Sequence, residues 1–302
     1  MTSTTRSTEG TIDFRGYRTW YRVAGDLAEP DRRPLVLIHG GPGAPHDYFE
    51  PLEALADRGR AVVLYDQLGC GASDRPHDPA LWTVELFVEE LWALRHELGL
   101  ERCHLLGQSW GGLLALEHAL AHGDGVESLT LADPLVSSLE WAKEAARLRG
   151  LLPAEVRAAL KRHEDDGSTN DPEYEAATLE YYRRHVCRQD PWPDCLQRSF
   201  TKLMEDPEVY LTMWGPSEFR VTGTLAAWDV RERLSGILAP ALVVGGRHDE
   251  CTPLIQEDLH RRLPGSRWVV FEESSHMPHL EETAKFLDVL EDFLADVEAG
   301  RG

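Results

Sequence analysis

Hydrophobic and polar positions along the chain form two alternating kinds of segment. Short runs that are apolar almost throughout predict buried strands, and longer runs with apolar residues three or four positions apart predict amphipathic helices. The short apolar runs lie at 34–41 (PLVLIHGG), 60–69 (RAVVLYDQLG), 103–109 (CHLLGQS), 128–134 (SLTLADP), 240–246 (PALVVGG) and 267–276 (RWVVFEESSH). Strands that are apolar on both faces need cover on both sides, so the pattern predicts a mostly parallel sheet between helices.

The helical segments alternate with these strands. Residues 83–99 (TVELFVEELWALRHELG) have leucines at helical spacing and stop at a glycine, as helices commonly do. Another helix is expected directly after the strand at 103–109. One helix is expected before the strand at 267–276 and one after it. Near the start of the chain, residues 11–25 predict an antiparallel hairpin around Gly16. The alternation is typical of an α/β fold.

The alternation of strands and helices disappears between about residues 137 and 228. This stretch is rich in Arg, Glu and aromatic residues, contains proline turns, and is most loop-like at 162–174 (RHEDDGSTNDPEY). We interpret it as a helical insertion. The predicted organisation is an α/β core formed by residues 1–136 and 229–302, with a helical cap domain formed by residues 137–228.

Composition and charge narrow the class of protein. The chain has 302 residues, which suits one large α/β domain with an insertion or two domains of ordinary size, and 42% hydrophobic residues are typical of a globular protein. Lys and Arg number 31 against 52 Asp and Glu, so the net charge is 31 − 52 = −21. Nucleic acids and anionic membranes repel such an excess of negative charge, and we therefore expect neither as a partner.

Three features that the sequence lacks indicate the cellular compartment of the protein. The first residues (MTSTTRSTEGTIDF) lack the apolar core of a secretory signal, and no apolar run approaches the ~18 residues that span a bilayer. The five cysteines are scattered, with no CxxC pair, so they fit neither a disulfide framework nor a zinc site. We expect a cytoplasmic protein.

The candidate nucleophile lies in the segment GQSWGG (107–112). Ser109 follows an apolar strand and precedes a glycine-rich helix start, and Gly107 and Gly111 leave room for a sharp turn that would push its hydroxyl outward. Because the short pattern also arises by chance, it needs a base, an acid and an oxyanion site at matching positions.

The oxyanion site is expected at the start of the helix after Ser109. Helix N-termini offer unpaired N–H groups and the positive end of the helix dipole, and Trp110 would supply one such N–H. A second donor is expected from LIHGGPG (37–43), which follows an earlier strand and whose glycines allow close approach of the backbone. The amide of Gly41 is the predicted donor.

The predicted base is His276, on the loop after the last strand. His279 is its local rival and is expected to face the following helix. The predicted acid is Asp249 in VVGGRHDECTP, after the penultimate strand, and Asp133, after the strand at 128–134, stays open as the alternative. The order serine, acid, histidine is that of the α/β-hydrolase fold. The pattern therefore predicts acyl transfer from substrate to Ser109 and then to water, with no metal or organic cofactor.

Taken together, these segments resemble the proline iminopeptidases (prolyl aminopeptidases), which are α/β hydrolases with a helical cap. The resemblance rests on HGGPG (39–43), YDQLGCGASDRP (65–76), GQSWGG (107–112), MWGPSEF (213–219), GRHDECTP (246–253) and SSHMPHLEE (274–282), in the order of the family. The predicted cap matches little between residues 137 and 210. The resemblance implies an aminopeptidase that releases an N-terminal proline, or another small or apolar residue, from a small peptide or an aminoacyl amide.

The resemblance also implies that two glutamates, Glu218 and Glu250, hold the free α-amino group of the substrate. An ammonium group that enters a partly desolvated pocket needs a charge partner, and two carboxylates would also fix its direction. A free amine would then be required for cleavage.

Other activities are compatible with the same residues. One is an amidohydrolase that removes an aminoacyl protecting group from a biosynthetic intermediate such as a polyketide or macrolactam. Another is an esterase or thioesterase with no amine requirement, and a third is a binding protein that has lost catalysis. Six aromatic residues either line an apolar substrate pocket or form the core of the cap: Trp141, Tyr174, Tyr181, Tyr182, Trp192 and Trp214.

Overall fold

An eight-stranded sheet forms the centre of the protein, for which the computed structural model describes residues 7–28 and 32–301. The strands are β1 (Ser7–Phe14), β2 (Tyr17–Ala24), β3 (Leu35–Ile38), β4 (Val62–Tyr65), β5 (Cys103–Gln108), β6 (Val126–Ala132), β7 (Ala241–Gly246) and β8 (Arg267–Phe271). Their order across the sheet is β1-β2-β4-β3-β5-β6-β7-β8. β2 pairs antiparallel with β1 and β4, and all other neighbours are parallel. The predicted hairpin and parallel sheet are both present.

Helices cover the sheet and connect its strands. The α-helices are α1 (Val84–Glu97), α2 (Trp110–Ala121), α3 (Ser138–Arg149), α4 (Ala154–Asp166), α5 (Pro172–His185), α6 (Asp194–Glu205), α7 (Glu208–Met213), α8 (Pro253–Arg262), α9 (Pro278–Glu281) and α10 (Thr283–Glu298). Four 3₁₀ helices lie at His46–Arg58, Pro79–Leu81, Thr224–Ala227 and Arg231–Gly236. The helices predicted in the α/β core are present as α1, α2, α8 and the pair α9 and α10.

The inner strands form the core of the protein. Every residue of β3, β4, β5 and β7 is buried, as expected for strands with helices on both faces. Each fully buried Val or Leu side chain of this kind contributes about 1.5–3 kcal/mol by leaving water. β8 differs, because it lies at one edge of the sheet, and four of its five residues are only half-buried.

Five helices, α3 to α7, fall between β6 and β7, within the span predicted for the cap. We call residues 137–228 the cap segment. Its two ends meet, because Ser137 pairs with Asp229 in an isolated bridge and Val230 N–H donates to the carbonyl of Val136 at 3.1 Å. This closure supports the predicted division of the chain, whose boundaries stay a prediction.

The loop predicted at 162–174 is shorter than expected. α4 continues to Asp166 and ends at Gly167, whose φ of +72° stops the helix. α5 begins at Pro172, and the carboxylate of Asp171 caps it by accepting the N–H of Glu173 at 2.8 Å. Only 167–171 lies outside the two helices.

The cap helix α6 is anchored to the α/β core beside the glycine-rich loop after β3. Lys202 Nζ lies 2.8 Å from Asp47 Oδ1, and Arg198 pairs with Glu50 at 2.5 Å. Ser199 Oγ donates to the Pro45 carbonyl at 2.9 Å. One face of α6 is therefore fixed to the chain that follows HGGPG.

All five cysteines are buried and free of disulfides. Within the ranges 7–28 and 32–301, no helix is both long and apolar enough to cross a membrane.

Candidate active site

The predicted site residues follow the carboxyl ends of parallel strands, which meet at one edge of the sheet. Gly41 follows β3, Ser109 follows β5, Asp133 follows β6, Asp249 follows β7 and His276 follows β8. Ligands of open α/β sheets bind at this edge. The topology thus brings residues from five separate parts of the sequence to one place.

Ser109 lies on a strained turn between β5 and α2. Its backbone has φ +56° and ψ −119°, a conformation that side-chain-bearing residues adopt rarely, and only 7% of the residue is exposed. The turn requires Gly111, because a Cβ there would lie 1.9 Å from the carbonyl oxygen of Ile38. The sharp turn matches the prediction. The Ser109 hydroxyl has no hydrogen-bond partner within the described residues.

His276 is oriented by Asp249. Its Nδ1 lies 2.7 Å from Asp249 Oδ1, which also accepts the N–H of Cys251 at 2.8 Å. The other ring nitrogen, Nε2, lies 3.9 Å from Glu250 Oε1. His276 and Ser109 line the same cleft, so the imidazole has one nitrogen on its acid and the other available to the cleft.

Asp133, the alternative acid, lies beside this pair but does not make its hydrogen bond. One oxygen of Asp133, one oxygen of Asp249 and a ring nitrogen of His276 lie within 4.8 Å of one another. Asp133 Oδ1 accepts the N–H of Gly246 at 3.2 Å, and its Oδ2 has no partner in the described chain. Burial and the charge of Asp249 raise the pKa of Asp133 well above its usual range. Asp249 is therefore the acid that contacts the imidazole.

His279, the rival base, is a buried ring in the protein core. It packs against Tyr48, Phe49 and Phe286, and Phe286 belongs to the following helix α10. Burial lowers the pKa of His279 to about 3, and neither of its ring nitrogens has a hydrogen bond to a described residue. Its place against the following helix agrees with the prediction.

The glycine-rich loop presents one N–H group without an internal acceptor. Gly40 donates its N–H to Tyr48 Oη at 2.6 Å, whereas the N–H of Gly41 has no acceptor among the described residues. Gly41 has φ +109°, and a Cβ there would lie 2.6 Å from the amide nitrogens of Gly43 and Ala44, so only glycine fits. The other predicted donor, Trp110, is the first residue of α2, a position whose N–H has no acceptor within the helix. Both predicted oxyanion donors are available.

The two predicted amine-binding glutamates lie on the cleft side of His276. Glu250 is fully buried, neither of its carboxyl oxygens has a hydrogen bond of ordinary geometry, and the hydroxyl of Tyr181 faces it. Glu218 is partly exposed to the cleft and accepts the hydroxyl of Tyr210 at 2.7 Å. No Lys or Arg of the described chain pairs with either carboxyl group.

The electrostatics of this acidic pair follow from burial. Burial and the charges of Glu218 and Asp249 raise the pKa of Glu250 well above its usual range. Burial also raises the pKa of Glu218, while the Tyr210 hydrogen bond acts in the opposite direction. Two carboxyl groups without a counter-ion favour a cationic ligand, because a cation would relieve both their mutual repulsion and their burial.

Aromatic residues of the cap segment position Glu218. Trp141 Nε1 donates to the Glu218 carbonyl at 3.0 Å, and the Glu218 N–H donates to Tyr182 Oη at 3.3 Å. The Trp141 ring also meets His276 edge to face, with centroids 5.7 Å apart. The two interpretations of the aromatic residues are therefore compatible, because Trp141 is buried cap core and a wall of the site at once.

Comparisons with known proteins identify the family of the chain. The family model described as the alpha/beta hydrolase fold matches residues 33–283. A proline iminopeptidase of Clostridium botulinum (strain Hall) is 40% identical over 290 residues, which cover 95% of this chain and 98% of the relative. The crystal structure of proline iminopeptidase from Mycobacterium smegmatis has a TM-score of 0.90 and 42% identity, and the match covers 98% of this chain and 100% of that one. The crystal structure of VinJ has a TM-score of 0.93 and 44% identity, with coverage of 96% and 99%.

The chain belongs to the proline iminopeptidase family of α/β hydrolases. The predicted fold class and the resemblance are thereby confirmed, and the protein is an enzyme of this family. The likeness to the curated relative extends over nearly the full length of both chains, including the cap segment that matched little by its motifs.

Sequence reasoning missed two site residues of this proline iminopeptidase relative. Tyr48 Oη donates to Gln108 Oε1 at 3.0 Å, and Gln108 Nε2 donates to the His276 carbonyl at 3.1 Å. Together with the hydrogen bond from Gly40 to Tyr48, these two contacts connect the glycine-rich loop after β3 to the loop after β8 that carries His276. Gln108 could have been suspected from its place before Ser109. Tyr48 carried no signal, because it lies in a 3₁₀ helix that was not predicted.

The remaining cleft wall in this family member is apolar. It is formed by six side chains other than those described above: Ala44, Val186, Leu196, Phe200, Leu203 and Met277. Leu196, Phe200 and Leu203 belong to α6, the anchored helix of the cap segment. The cleft thus has an acidic end at Glu218 and an apolar wall on α6.

Proposed function

We propose that this chain is a serine aminopeptidase that hydrolyses the amide bond after an N-terminal residue bearing a free α-amine. The residue released is proline or another small or apolar residue, and the leaving group belongs to a small peptide or an aminoacylated small molecule. Membership of the proline iminopeptidase family supports the reaction class, and the site geometry supports the residue roles that follow.

The chemical step uses three side chains and two amides. The Ser109 hydroxyl attacks the first carbonyl carbon while His276 Nε2 takes its proton, and the N–H groups of Gly41 and Trp110 stabilise the oxyanion. Asp249 holds the proton on Nδ1 and stabilises the imidazolium. The carbon–nitrogen bond breaks as His276 protonates the departing amine, and water then releases the acyl group by the same sequence.

The observation that carries the substrate assignment is a pair of carboxyl groups, Glu250 buried and Glu218 facing the cleft, that no Lys or Arg of the described residues neutralises. Glu250 Oε1 lies only 3.9 Å from the His276 nitrogen that serves Ser109. An ammonium group held by Glu250 and Glu218 would therefore lie next to the attacked carbonyl, as the α-amine of a first residue does. Binding would lower the raised pKa values of both carboxyl groups, so substrate binding should release protons. An esterase without an amine requirement has no use for this pair.

The test compares proline and alanine p-nitroanilides with their N-acetyl forms. We expect the acetylated substrates to be cleaved at least about 10²-fold less efficiently, because they leave both Glu250 and Glu218 without a charge partner. The matched control is Glu232→Gln, which removes one negative charge at a side chain that is 95% exposed on the surface. This variant should leave the ratio of kcat/KM on free-amine substrates to kcat/KM on acetylated substrates unchanged. Equal rates on free and acetylated substrates would contradict the amine requirement.

A further inference from the structure

A buried network behind the glycine-rich loop determines where its amide groups point. We propose that His39 and Gln67 form a positioning pair that aims the Gly41 N–H into the cleft and fixes Trp110 in place beside it. The inference rests on the proposed function, since it concerns how the two oxyanion donors are held. Neither residue touches substrate, so each acts through the backbone that it orients.

The first step is the proton position on His39. The backbone N–H of Gln67 donates to His39 Nε2 at 2.9 Å, so this nitrogen carries a lone pair. Burial lowers the pKa of His39 to about 4, so the ring is neutral and its one proton is on Nδ1. Nδ1 lies 3.0 Å from the carbonyl oxygen of Gly40. His39 therefore donates to that carbonyl.

The second step is the geometry of one peptide unit. The Gly40 carbonyl and the Gly41 N–H belong to the same trans peptide, in which the two groups point in opposite directions. The carbonyl is held inward by His39 Nδ1–H and by the N–H of Ala44 at 3.2 Å. The Gly41 N–H must then point the other way. The loop touches the nucleophile turn, since a Cβ on Gly40 would lie 3.3 Å from the Ser109 Cβ.

The third step is the side chain of Gln67, which joins the two donors. Its Nε2 donates to the His39 carbonyl at 3.0 Å, and its Oε1 accepts the indole N–H of Trp110 at 2.8 Å. Gln67 follows β4, His39 follows β3 and Trp110 follows β5, and β3 lies between β4 and β5 in the sheet. One buried side chain thus spans the middle strand and connects both halves of the oxyanion site.

The experiment measures kcat and KM for variants at both positions, with active sites counted by fluorophosphonate titration. His39→Phe keeps a ring but removes the Nδ1 donor, and we expect kcat per titrated site to fall about 10²-fold with KM changed less than about 2-fold. His39→Asn places an amide donor near the position of Nδ1 and should recover part of the loss. Gln67→Leu should lower kcat about 10-fold, also with little change in KM.

A second readout separates positioning from folding. A boronic acid that forms a tetrahedral adduct with Ser109 should bind the His39 and Gln67 variants more weakly, in proportion to kcat, while a competing free amine such as proline binds as before. The matched control is Glu90→Gln. Glu90 accepts the N–H of Leu68 at 2.9 Å, next to Gln67 in the chain, and should leave kcat per titrated site unchanged.

The outcomes distinguish this inference from the proposed function. If kcat per titrated site is unchanged in His39→Phe and Gln67→Leu while Ser109→Ala is inactive, the positioning pair is wrong and the proposed function stands. If Ser109→Ala keeps ordinary activity, the proposed function itself is wrong. Should His39→Phe yield no titratable sites, His39→Asn and Gln67→Leu provide the same test.

Discussion

The α/β core and the cap segment contribute to the active site in different ways. Core residues such as Ser109 and His276 sit on turns directly after parallel strands, so the backbone of the sheet determines where they lie. Glu218 sits in an irregular part of the cap segment and is held by the side chains of Trp141, Tyr182 and Tyr210. Under the proposed function, the main chain of the core thus positions the catalytic groups, and side chains of the cap segment position Glu218, one of the two proposed amine-binding acids. Substitutions in the two regions should therefore change different kinetic constants.

The largest loss of activity is expected from a substitution in the α/β core. Ser109→Ala removes the nucleophile, and we expect kcat with proline p-nitroanilide to fall about 10⁴- to 10⁶-fold. Because alanine meets the same strain at φ +56° and the glycines of the turn are unchanged, the melting temperature should stay close to that of the wild type. Circular dichroism checks the fold beside the kinetics. Activity near the wild-type level would remove Ser109 from the mechanism.

A paired comparison of the two acids tests the core further. Asp249→Asn should lower kcat about 10⁴-fold, because an amide can force the wrong tautomer on His276. Asp133→Asn should lower kcat less than about 10-fold, because the hydrogen bond of Asp133 goes to the Gly246 N–H and not to His276, and asparagine keeps its shape. The reverse ranking would make Asp133 the acid that serves His276.

In the cap segment, Glu218→Gln should act mainly on KM. We expect kcat/KM for free-amine substrates to fall about 10²-fold, while the slow cleavage of N-acetyl substrates stays the same. The pH profile should also move. The charge of Glu218 raises the pKa of Glu250, so its removal lowers that pKa, and kcat/KM should decline at lower pH than in the wild type. A decline at higher pH would contradict the acidic pair.

The smallest effect concerns stability. The pKa of Glu250 is raised in the folded state, so folding favours its protonated form, and stability is lost as the pH rises through the folded pKa. Glu250→Gln should therefore raise the melting temperature by about 2 °C or more at alkaline pH, while it weakens substrate binding. Near the pKa of an unperturbed carboxyl group the difference should vanish. Melting temperatures of Glu250→Gln and the wild type, measured across this pH range, test the direction of the change. A higher melting temperature of the variant at acidic pH alone would contradict the raised pKa of Glu250.

The same contrast explains what could be predicted from sequence. Ser109, Asp249 and His276 each follow an apolar run, and parallel strands bring their ends together whatever the distance along the chain. Glu218 does not follow a strand, so no such pattern predicts its position, and its role was suggested only by the resemblance to a family. The 3₁₀ helix His46–Arg58 escaped prediction, as expected for a segment with Pro51 in its interior.

The hydrogen-bond network around the site also lay beyond the sequence. His39 and Gln67 could be read as parts of motifs, but their contacts depend on the order of strands in the sheet, which periodicity does not reveal. The choice between Asp249 and Asp133 was likewise open, because both acids follow a strand next to the site. The 2.7 Å contact between Asp249 Oδ1 and His276 Nδ1 supports Asp249, and its role as the catalytic acid stays a proposal.

The anchoring of α6 has a consequence for how this enzyme can change. Helical periodicity places Arg198 and Lys202 on the face that contacts the core, and Leu196, Phe200 and Leu203 on the face that lines the cleft. Changes of shape at the three cleft-facing positions would therefore alter the cleft while the ion pairs on the opposite face are kept, although Leu196 and Leu203 are buried and tolerate little change in volume. The cleft-facing side of α6 is therefore where a new substrate preference can arise without any change in Ser109, Asp249 or His276.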